Sequence, residues 1–119
     1  MMDPEDTFSS HIEDTITAGA GLCNPDVVKM VVSEGPDRIR DLINWGVPFT
    51  KRGKGKSVSF DLGKEGGHTR RRILHAGDIT GKEVEKILLK RIANSPNIKI
   101  FENHICVDLI TAKKLGQIN

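Results

Sequence analysis

The stretch EGGHTRRRILHAGDITGKEVE, from Glu65 to Glu85, holds the densest group of chemically useful residues in this 119-residue chain. A carboxylate precedes a glycine pair, two histidines flank three consecutive arginines, and a helix start follows. Thr80 and Glu83 match the capping box, in which the hydroxyl and the carboxylate satisfy opposite backbone donors. Apolar residues then recur at helical spacing, at Val84, Ile87, Leu88 and Ile92. The stretch therefore predicts a polar loop followed directly by an amphipathic helix.

The chain before this stretch predicts short helices with clear ends. One helix is expected over residues 11–18 and ends at the glycines that follow. Asn24 then stands as an N-cap before a proline at the first helical position, which is the favoured arrangement. Pro36 opens a further helix by the same preference, and Gly46 ends it. We therefore expect a pair of short helices in this second region.

Short strands are expected on both sides of the opening stretch. Residues 57–62 alternate weakly between apolar and polar, and residues 72–76 suit a second extended piece. Two further strands are expected at 98–101 and 105–110, and the last is mostly apolar, as in a strand covered on both faces. The sequence thus predicts a mixed α and β (α/β) fold of short helices and short strands. We expect a single segment, residues 1–119, with no internal domain boundary.

Composition argues against several classes of protein. With 37% hydrophobic and 29% charged residues, the chain is expected to fold as a soluble globular protein. A formal charge of +2 does not call for a nucleic-acid partner. No apolar run approaches the roughly 20 residues of a membrane span, and the acidic N-terminus is unlike a secretory signal. Cys23 and Cys106 fit no metal-ligand spacing, so we expect reduced thiols, no metal and a cytoplasmic location.

Three further patterns have an alternative interpretation. The segment Ala18–Gly21 suggests a dinucleotide fingerprint, but its third glycine is missing and helix termination is favoured. The run KRGKGK at 51–56 either binds phosphate or forms an exposed loop, and the loop is favoured because no aromatic residues are interleaved. His68 and His75 have no companion ligand at a metal-binding spacing.

Glu65 is the residue whose role the local pattern leaves open. Gly66 and Gly67 have no side chains, so a ligand or cofactor can approach the backbone closely. The arginines at 70–72 supply either bidentate anion clamps or charge neutralisation. From these residues alone, Glu65 is either a turn residue or part of one wall of an active site.

Two motifs resemble those of the L-aspartate oxidase family. Residues 11–23 contain HIEDT and AGAGLC, which are similar to the family's HxEDT and AGAGxC. Residues 65–76, EGGHTRRRILHA, are similar to its EGGHSxRRILHA, and residues 77–83 stand where the family reads xDxTGRE. Thr69 replaces a common serine and keeps the hydroxyl. The match continues to Ile110, so the resemblance covers nearly the whole chain, and the two motifs together are specific.

The resemblance implies a flavoenzyme that oxidises L-aspartate to iminoaspartate, the first step of de novo NAD synthesis, with oxygen or fumarate as the electron acceptor. It implies that the chain is an internal piece of the FAD-binding domain, without the glycine-rich FAD fingerprint and without the later substrate-binding segments. The isolated chain is then expected to be inactive. In the complete enzyme FAD carries the redox chemistry, and the protein supplies position and charge.

The resemblance also suggests the site residues. It places Glu65 in the substrate pocket, where a carboxylate favours an amine-bearing substrate over a plain dicarboxylate. The related flavoprotein subunits of succinate dehydrogenase and fumarate reductase lack this acid. It places Ile105 and Cys106 where main-chain groups meet the adenine end of FAD.

Other functions are kept as alternatives. The first is a flavoprotein of the succinate dehydrogenase or fumarate reductase kind. The second is a small basic module that binds phosphate or nucleic acid through Lys51–Lys56 and Arg70–Arg72. If the chain is a fragment, lost partner segments leave apolar faces exposed, and segment 105–110 is then expected to favour self-association.

Overall fold

The computed structural model describes residues 3–55 and 57–117. In chain order its elements are α1 (Phe8–Ala18), α2 (Pro25–Trp45), β1 (Lys51–Arg52), β2 (Ser59–Phe60), β3 (Leu62–Gly63), β4 (Ile73–Leu74) and α3 (Thr80–Ala93). The strands form two antiparallel pairs, β1 with β2 and β3 with β4. The prediction of a mixed α and β fold is confirmed. None of these three helices is both long and apolar enough to cross a membrane.

Capping residues set the ends of the first two helices. The Thr7 hydroxyl accepts a hydrogen bond from the Ser10 amide (3.1 Å), so α1 begins earlier than predicted. Asn24 caps α2 as predicted, since its side-chain oxygen accepts from the amide of Asp26 (3.1 Å). Gly46 ends α2 at φ +98°, a left-handed conformation that glycine adopts without steric penalty.

The predicted pair of short helices is wrong, because residues 25–45 form one continuous helix with Pro36 inside it. Proline has no N–H and costs a helix interior about 3 kcal/mol. The helix continues because it packs on both sides of the proline: Val32 is buried before it and Leu42 is half-buried after it. α2 contacts both α1 and α3. Tertiary packing thus outweighs the local signal of the proline.

Thr50 connects the two strand pairs. Its N–H donates to the carbonyl of His75 (2.7 Å), and its carbonyl accepts from the amide of Asp61 (2.9 Å). The chain therefore changes partner at Asp61, and the single strand predicted at 57–62 is divided into β2 and β3. β4 lies inside the extended piece predicted at 72–76.

The basic run at 51–56 begins as a strand and not as a loop. Lys51 pairs with Phe60 and Arg52 with Ser59 in the β1–β2 register. Both basic side chains are exposed, as predicted, because a two-stranded pair leaves much of its surface in water. Lys56 lies outside the described residues.

The helix predicted behind the opening stretch is present as α3, but its capping box is not. Thr80 lies in the first turn of the helix, and its hydroxyl accepts from the amide of Ala76 (3.0 Å). Ile79 precedes the helix and makes no side-chain cap. Because the Thr80 hydroxyl accepts a hydrogen bond from the preceding turn, it does not cap the first turn of α3.

The two strands predicted at 98–101 and 105–110 do not form within the described residues. Ile105, Val107 and Ile110 are 89%, 92% and 80% exposed. A strand needs a neighbour for its backbone groups, and apolar side chains on both faces need a layer on each side. The described residues supply neither, so the apolar pattern stands here without a sheet.

The apolar core is small and lies where the end of α2 meets the strand pairs. Its buried apolar members in the described chain are Val32, Val47, Phe49 and Ala76. Phe49 also meets Phe60 edge to face, with ring centroids 6.4 Å apart. The buried polar residues of the described chain are Asp6 and Asp14. Since buried charges need partners, these two carboxylates lead to the candidate site.

Candidate functional site

A tight turn presents Glu65 at the surface. The Glu65 carbonyl accepts a hydrogen bond from the His68 amide (3.1 Å), which closes the turn. Gly67 has φ +85°, and a Cβ at this position would lie 3.0 Å from the Cβ of Ala18 on α1. Glycine is therefore required both for the turn and for its close approach to the helix. The Glu65 side chain is exposed, as a residue that meets a ligand from solution must be.

Thr69 fastens the end of this turn to α1. Its amide and its hydroxyl both donate to Oδ2 of Asp14, each at 2.8 Å. The Ser10 hydroxyl lies 3.3 Å from the same threonine hydroxyl. Ser10 and Asp14 are four positions apart and so occupy one face of the helix. The hydroxyl expected at position 69 thus has a definite structural use.

Arg72 is buried between two carboxylates. Its Nε and Nη2 donate to the two oxygens of Asp6, both at 2.8 Å, and its Nη1 donates to Oδ2 of Asp14 at 2.6 Å. The side chains of Arg72, Asp6 and Asp14 are only 4%, 0% and 8% exposed. A buried guanidinium paired with two carboxylates satisfies charges that would be costly alone. We call Asp6, Asp14, Thr69 and Arg72 the Arg72 cluster.

Hydrogen bonding shifts the protonation equilibria of this cluster. The Thr69 amide is the main cause that lowers the pKa of Asp14 from 3.8 to about 2; burial opposes the shift, and Arg72 and the Thr69 hydroxyl add to it. Burial by itself would lower the pKa of Arg72, but the hydrogen bonds that it donates to Asp6 and Asp14 outweigh burial and raise that pKa. Asp14 and Arg72 are therefore ionised at neutral pH, and their opposite charges hold each other in place.

The three consecutive arginines have different partners. Arg70 pairs with Glu5 at the surface (2.8 Å), Arg71 donates to the carbonyl of Leu62 (3.3 Å), and Arg72 is buried. The charge-neutralisation interpretation therefore suits Arg72 better than an open anion clamp. Because Arg72 is turned inward, the run does not present three cations to a phosphate, which weakens the nucleic-acid alternative.

Two histidines lie between the turn and α1. The rings of His11 and His68 meet edge to face, with centroids 5.5 Å apart. Burial is the main cause that lowers the pKa of His11, and electrostatic interactions with Arg72 and then His68 lower it further. Nδ1 of His68 is buried, and no described atom is within hydrogen-bond reach of it. His68 is thus part of the support of the turn.

The second candidate metal ligand lies in a different setting. His75 places Nε2 3.3 Å from Asp61 and Nδ1 3.3 Å from the carbonyl of Gly77. Among the described residues, no group of three or more His, Cys, Asp or Glu side chains is arranged to hold a metal ion. His75 serves the strand connection.

A cleft of about 440 Å³ opens beside the Arg72 cluster. Most of its lining is apolar and comes from α2 and β4: Val28, Val31, Val32, Ile39, Ile73 and Leu74. The charged groups at its edge, Asp6 and Arg72, already bond to each other. The cleft therefore offers mainly apolar surface for packing, and the charged groups of Asp6 and Arg72 are already paired with each other.

Ile105 and Cys106, expected at the adenine end of FAD, lie in an exposed and irregular segment. No backbone hydrogen bond within the described chain engages either residue. Their main-chain groups are thus available for the contact that the resemblance implies, and the residues fit the adenine end of FAD in that respect. No described hydrogen bond or ion pair links this segment to Glu65.

Sequence reasoning predicts a role for Glu65 but does not identify the residues that hold its turn. Asp14 lay inside the HIEDT motif, and Arg72 was treated only as one of three arginines. The available signal was the spacing of Ser10 and Asp14 on one helix face, together with three cations downstream. Which of the three arginines turns inward is decided by the strand pairing of β4, and local sequence does not show it.

Comparison with known proteins agrees with the resemblance. The family described as FAD binding domain matches residues 1–118. The chain is 46% identical over 110 residues to the tobacco (Nicotiana tabacum) protein L-aspartate oxidase 2-b, chloroplastic, covering 92% of this chain and 16% of that protein. It is 42% identical over 120 residues to L-aspartate oxidase of Pseudomonas aeruginosa, covering 98% of this chain and 22% of that protein.

Two solved structures resemble the fold. A mutant of Escherichia coli quinol fumarate reductase FrdA superposes with a TM-score of 0.75 and 30% identity, over 83% of this chain and 16% of that chain. The Mycobacterium smegmatis Sdh1 complex in the apo form gives 0.66 and 31%, over 76% of this chain and 15% of that chain. The chain spans about a fifth or less of the proteins it matches. Its match over nearly all of its length shows that the chain belongs to the FAD binding domain family.

Proposed function

We propose that this chain is one segment of an L-aspartate oxidase, and that Glu65 faces the ammonium group of the substrate. The observation that carries the proposal is an exposed carboxylate on a glycine turn that Thr69 and Asp14 fasten to α1. A fixed negative charge favours a substrate with an ammonium group over a plain dicarboxylate. The similarity to proteins named L-aspartate oxidase supports the same substrate.

Each part of the site has a distinct task in this proposal. FAD, when bound, would supply the two-electron acceptor for the oxidation of L-aspartate to iminoaspartate, with oxygen or fumarate as the final electron acceptor. Glu65 orients the substrate through its ammonium group, since fixed charges contribute by position. The Arg72 cluster holds the turn, and the main chain at Ile105 and Cys106 contacts the adenine end of the cofactor.

The proposal extends to the setting of the reaction. The proposed reaction, oxidation of L-aspartate to iminoaspartate, is the first step of de novo NAD synthesis. Cys23 and Cys106 are both free thiols, which suits a reducing compartment such as the cytoplasm. The isolated chain is proposed to be inactive, because the segments expected to bind the rest of FAD and the substrate carboxylates are not among its motifs.

A chimera tests the proposal directly. Residues 3–117 would replace the matching segment of the Pseudomonas aeruginosa relative, which is 42% identical. The chimera should retain FAD, and L-aspartate should reduce the flavin under anaerobic conditions while succinate does not. A chimera that retains FAD but responds only to succinate would contradict the proposal.

A dicarboxylate oxidoreductase is the second candidate, because the matching solved structures include a quinol fumarate reductase. The exposed carboxylate of Glu65 argues against it, since a negative charge there favours a substrate with an ammonium group over a plain dicarboxylate. The same flavin-reduction measurement separates the two candidates.

A further inference from the structure

The turn that carries Glu65 rests against one face of α1. Gly67 lies against Ala18, His68 against His11, and Thr69 against Asp14. The three helix residues are separated by three and then four positions, so they form one stripe along the helix. Three consecutive turn residues thus meet the three residues of that stripe, although not in the order of the helix.

The contact at Asp14 differs from the other two because it is directional. The glycine packs against a methyl group, and the histidine rings meet edge to face. At Asp14 a single carboxylate oxygen accepts the Thr69 amide, the Thr69 hydroxyl and the Arg72 guanidinium. Hydrogen bonds to an ionised acceptor are short and restrict orientation more than packing does. This oxygen therefore fixes the end of the turn.

We propose that Asp14 is a positioning residue for Glu65: by holding Thr69 and Arg72 together, it fixes the turn from which the Glu65 carboxylate reaches the substrate. The inference rests on the proposed function for the substrate only, since the fastening of the turn is independent of what Glu65 binds. Asp14 itself touches neither substrate nor cofactor in this scheme.

The proposal predicts a selective defect. If Asp14 orients Glu65, its loss misplaces the charge that faces the ammonium group, and a reaction without an ammonium group is spared. If Asp14 only stabilises the fold, both reactions lose activity together and FAD binding weakens. The ratio of aspartate oxidation to fumarate reduction is therefore the informative quantity.

The kinetic experiment compares variants in the chimera described above. Asp14→Asn and Thr69→Val should lower kcat/KM for L-aspartate on the order of ten- to a hundredfold, as small misplacements of a positioning group do. Fumarate reduction and FAD content should change much less. Thr69→Ser keeps the hydroxyl and should regain most of the aspartate activity. Glu13→Gln, which removes one exposed negative charge beside Asp14, is the matched control and should resemble the parent.

Several outcomes would overturn the inference. Equal losses for aspartate and fumarate, loss of FAD from Asp14→Asn, or no loss of aspartate activity would each do so. An active parent chimera combined with an unchanged Asp14→Asn variant would remove only this inference. A parent chimera without aspartate activity would remove the proposed function and, with it, the assignment of the substrate.

Amide hydrogen exchange tests the fastening without any activity. In the 119-residue chain itself, the amide of Thr69 should exchange slowly and should exchange at least about tenfold faster in Asp14→Asn, because its acceptor is weakened. Glu13→Gln should leave this rate unchanged. Exchange at Thr69 that is equally fast in parent and variant would contradict the inference, whatever the enzyme kinetics show.

Discussion

A Cβ at Gly67 would lie 3.0 Å from the Cβ of Ala18, so the turn that carries Glu65 approaches α1 as closely as the backbone allows. The same glycine has φ +85°. Both constraints act on one position, and the neighbouring Gly66 has neither: a Cβ added there would meet no described atom within 4 Å, and its φ is outside the left-handed region. The glycine pair therefore contains one residue that is structurally required and one that is not.

Gly67→Ala should destabilise the fold by about 1–3 kcal/mol, because the added methyl meets Ala18 and a non-glycine residue is strained at this φ. Gly66→Ala is the matched control and should change the free energy of unfolding by less than about 0.5 kcal/mol. Urea unfolding of the two variants beside the parent chain measures the difference. Equal effects of the two substitutions would mean that the turn does not pack against α1 as described.

Arg72→Met should be strongly destabilising, by roughly 3–5 kcal/mol, because it leaves buried carboxylates without their cation. The exposed neighbour offers a control, since Arg71→Met removes the same charge and a similar length of side chain at the surface. Arg71→Met should cost less than about 1 kcal/mol. The free energies of unfolding of the two variants and the parent, measured in urea at neutral pH, test this difference. Similar values for both variants would contradict the burial of Arg72.

The lowered pKa of Asp14 predicts a specific loss of stability in acid. Its folded-state pKa of about 2 lies below the ordinary value of 3.8. A depressed pKa contributes stability that is fully present above the unfolded-state value and is lost as the pH falls through the folded-state value. The chain should therefore lose this contribution between about pH 4 and pH 2.

The Asp14→Asn variant isolates that contribution. It should be less stable than the parent at neutral pH, and the difference between the two should shrink as the pH falls from 4 to 2. Unfolding midpoints in urea at several pH values in this window give the measurement. A difference that stays constant with pH would show that the ionised carboxylate is not the stabilising form.

Helices α3 and α2 show where local sequence predicts the fold and where it does not. The apolar stripe of α3 was sufficient to predict a helix, because the spacing of its side chains alone sets an amphipathic face. Pro36 led to a wrong prediction of two helices, because proline usually interrupts a helix. Packing of Val32 and Leu42 holds α2 together across it. A local signal fails where a tertiary contact of comparable size opposes it.

In the candidate site, too, some features can be predicted from local sequence and others depend on tertiary contacts. Glu65 and its glycine pair were recognisable because the residue types are unusual in sequence. The partners of Arg72 were not, because Asp6 and Asp14 are separated from it by 66 and 58 residues. Contacts at such separations are determined by the packing of the turn on α1. The segment 105–110 is the remaining case, in which the pattern is typical of a covered strand and the covering layers are absent from the described residues.

That exposed segment predicts self-association of the isolated chain. Ile105, Val107, Leu109 and Ile110 together form an apolar surface that soluble monomers rarely leave uncovered. Sedimentation should show a mass that rises with protein concentration. Val107→Lys should reduce this rise, because a charge in the segment opposes pairing. Val27→Lys is the control, since Val27 is also exposed but lies on α2. A monomer at every concentration would contradict the prediction.

The charge of Glu65 is the most direct test of the substrate. A carboxylate that faces an ammonium group contributes roughly 1.5–3 kcal/mol as a charge-assisted hydrogen bond. Glu65→Gln keeps the shape and removes the charge, so aspartate oxidation by the chimera should fall roughly ten- to a hundredfold, at about 1.4 kcal/mol per decade. Fumarate has no ammonium group and should be reduced as well as before, or better.

Steady-state rates with the two substrates, on protein shown to retain FAD, separate this role from that of a turn residue. A turn residue would affect both reactions equally, because misfolding does not distinguish substrates. Lys64→Gln is the matched control, since Lys64 is the exposed neighbour of Glu65 and lies outside the turn. If Glu65→Gln leaves aspartate oxidation intact, or lowers both rates alike, Glu65 does not face the ammonium group.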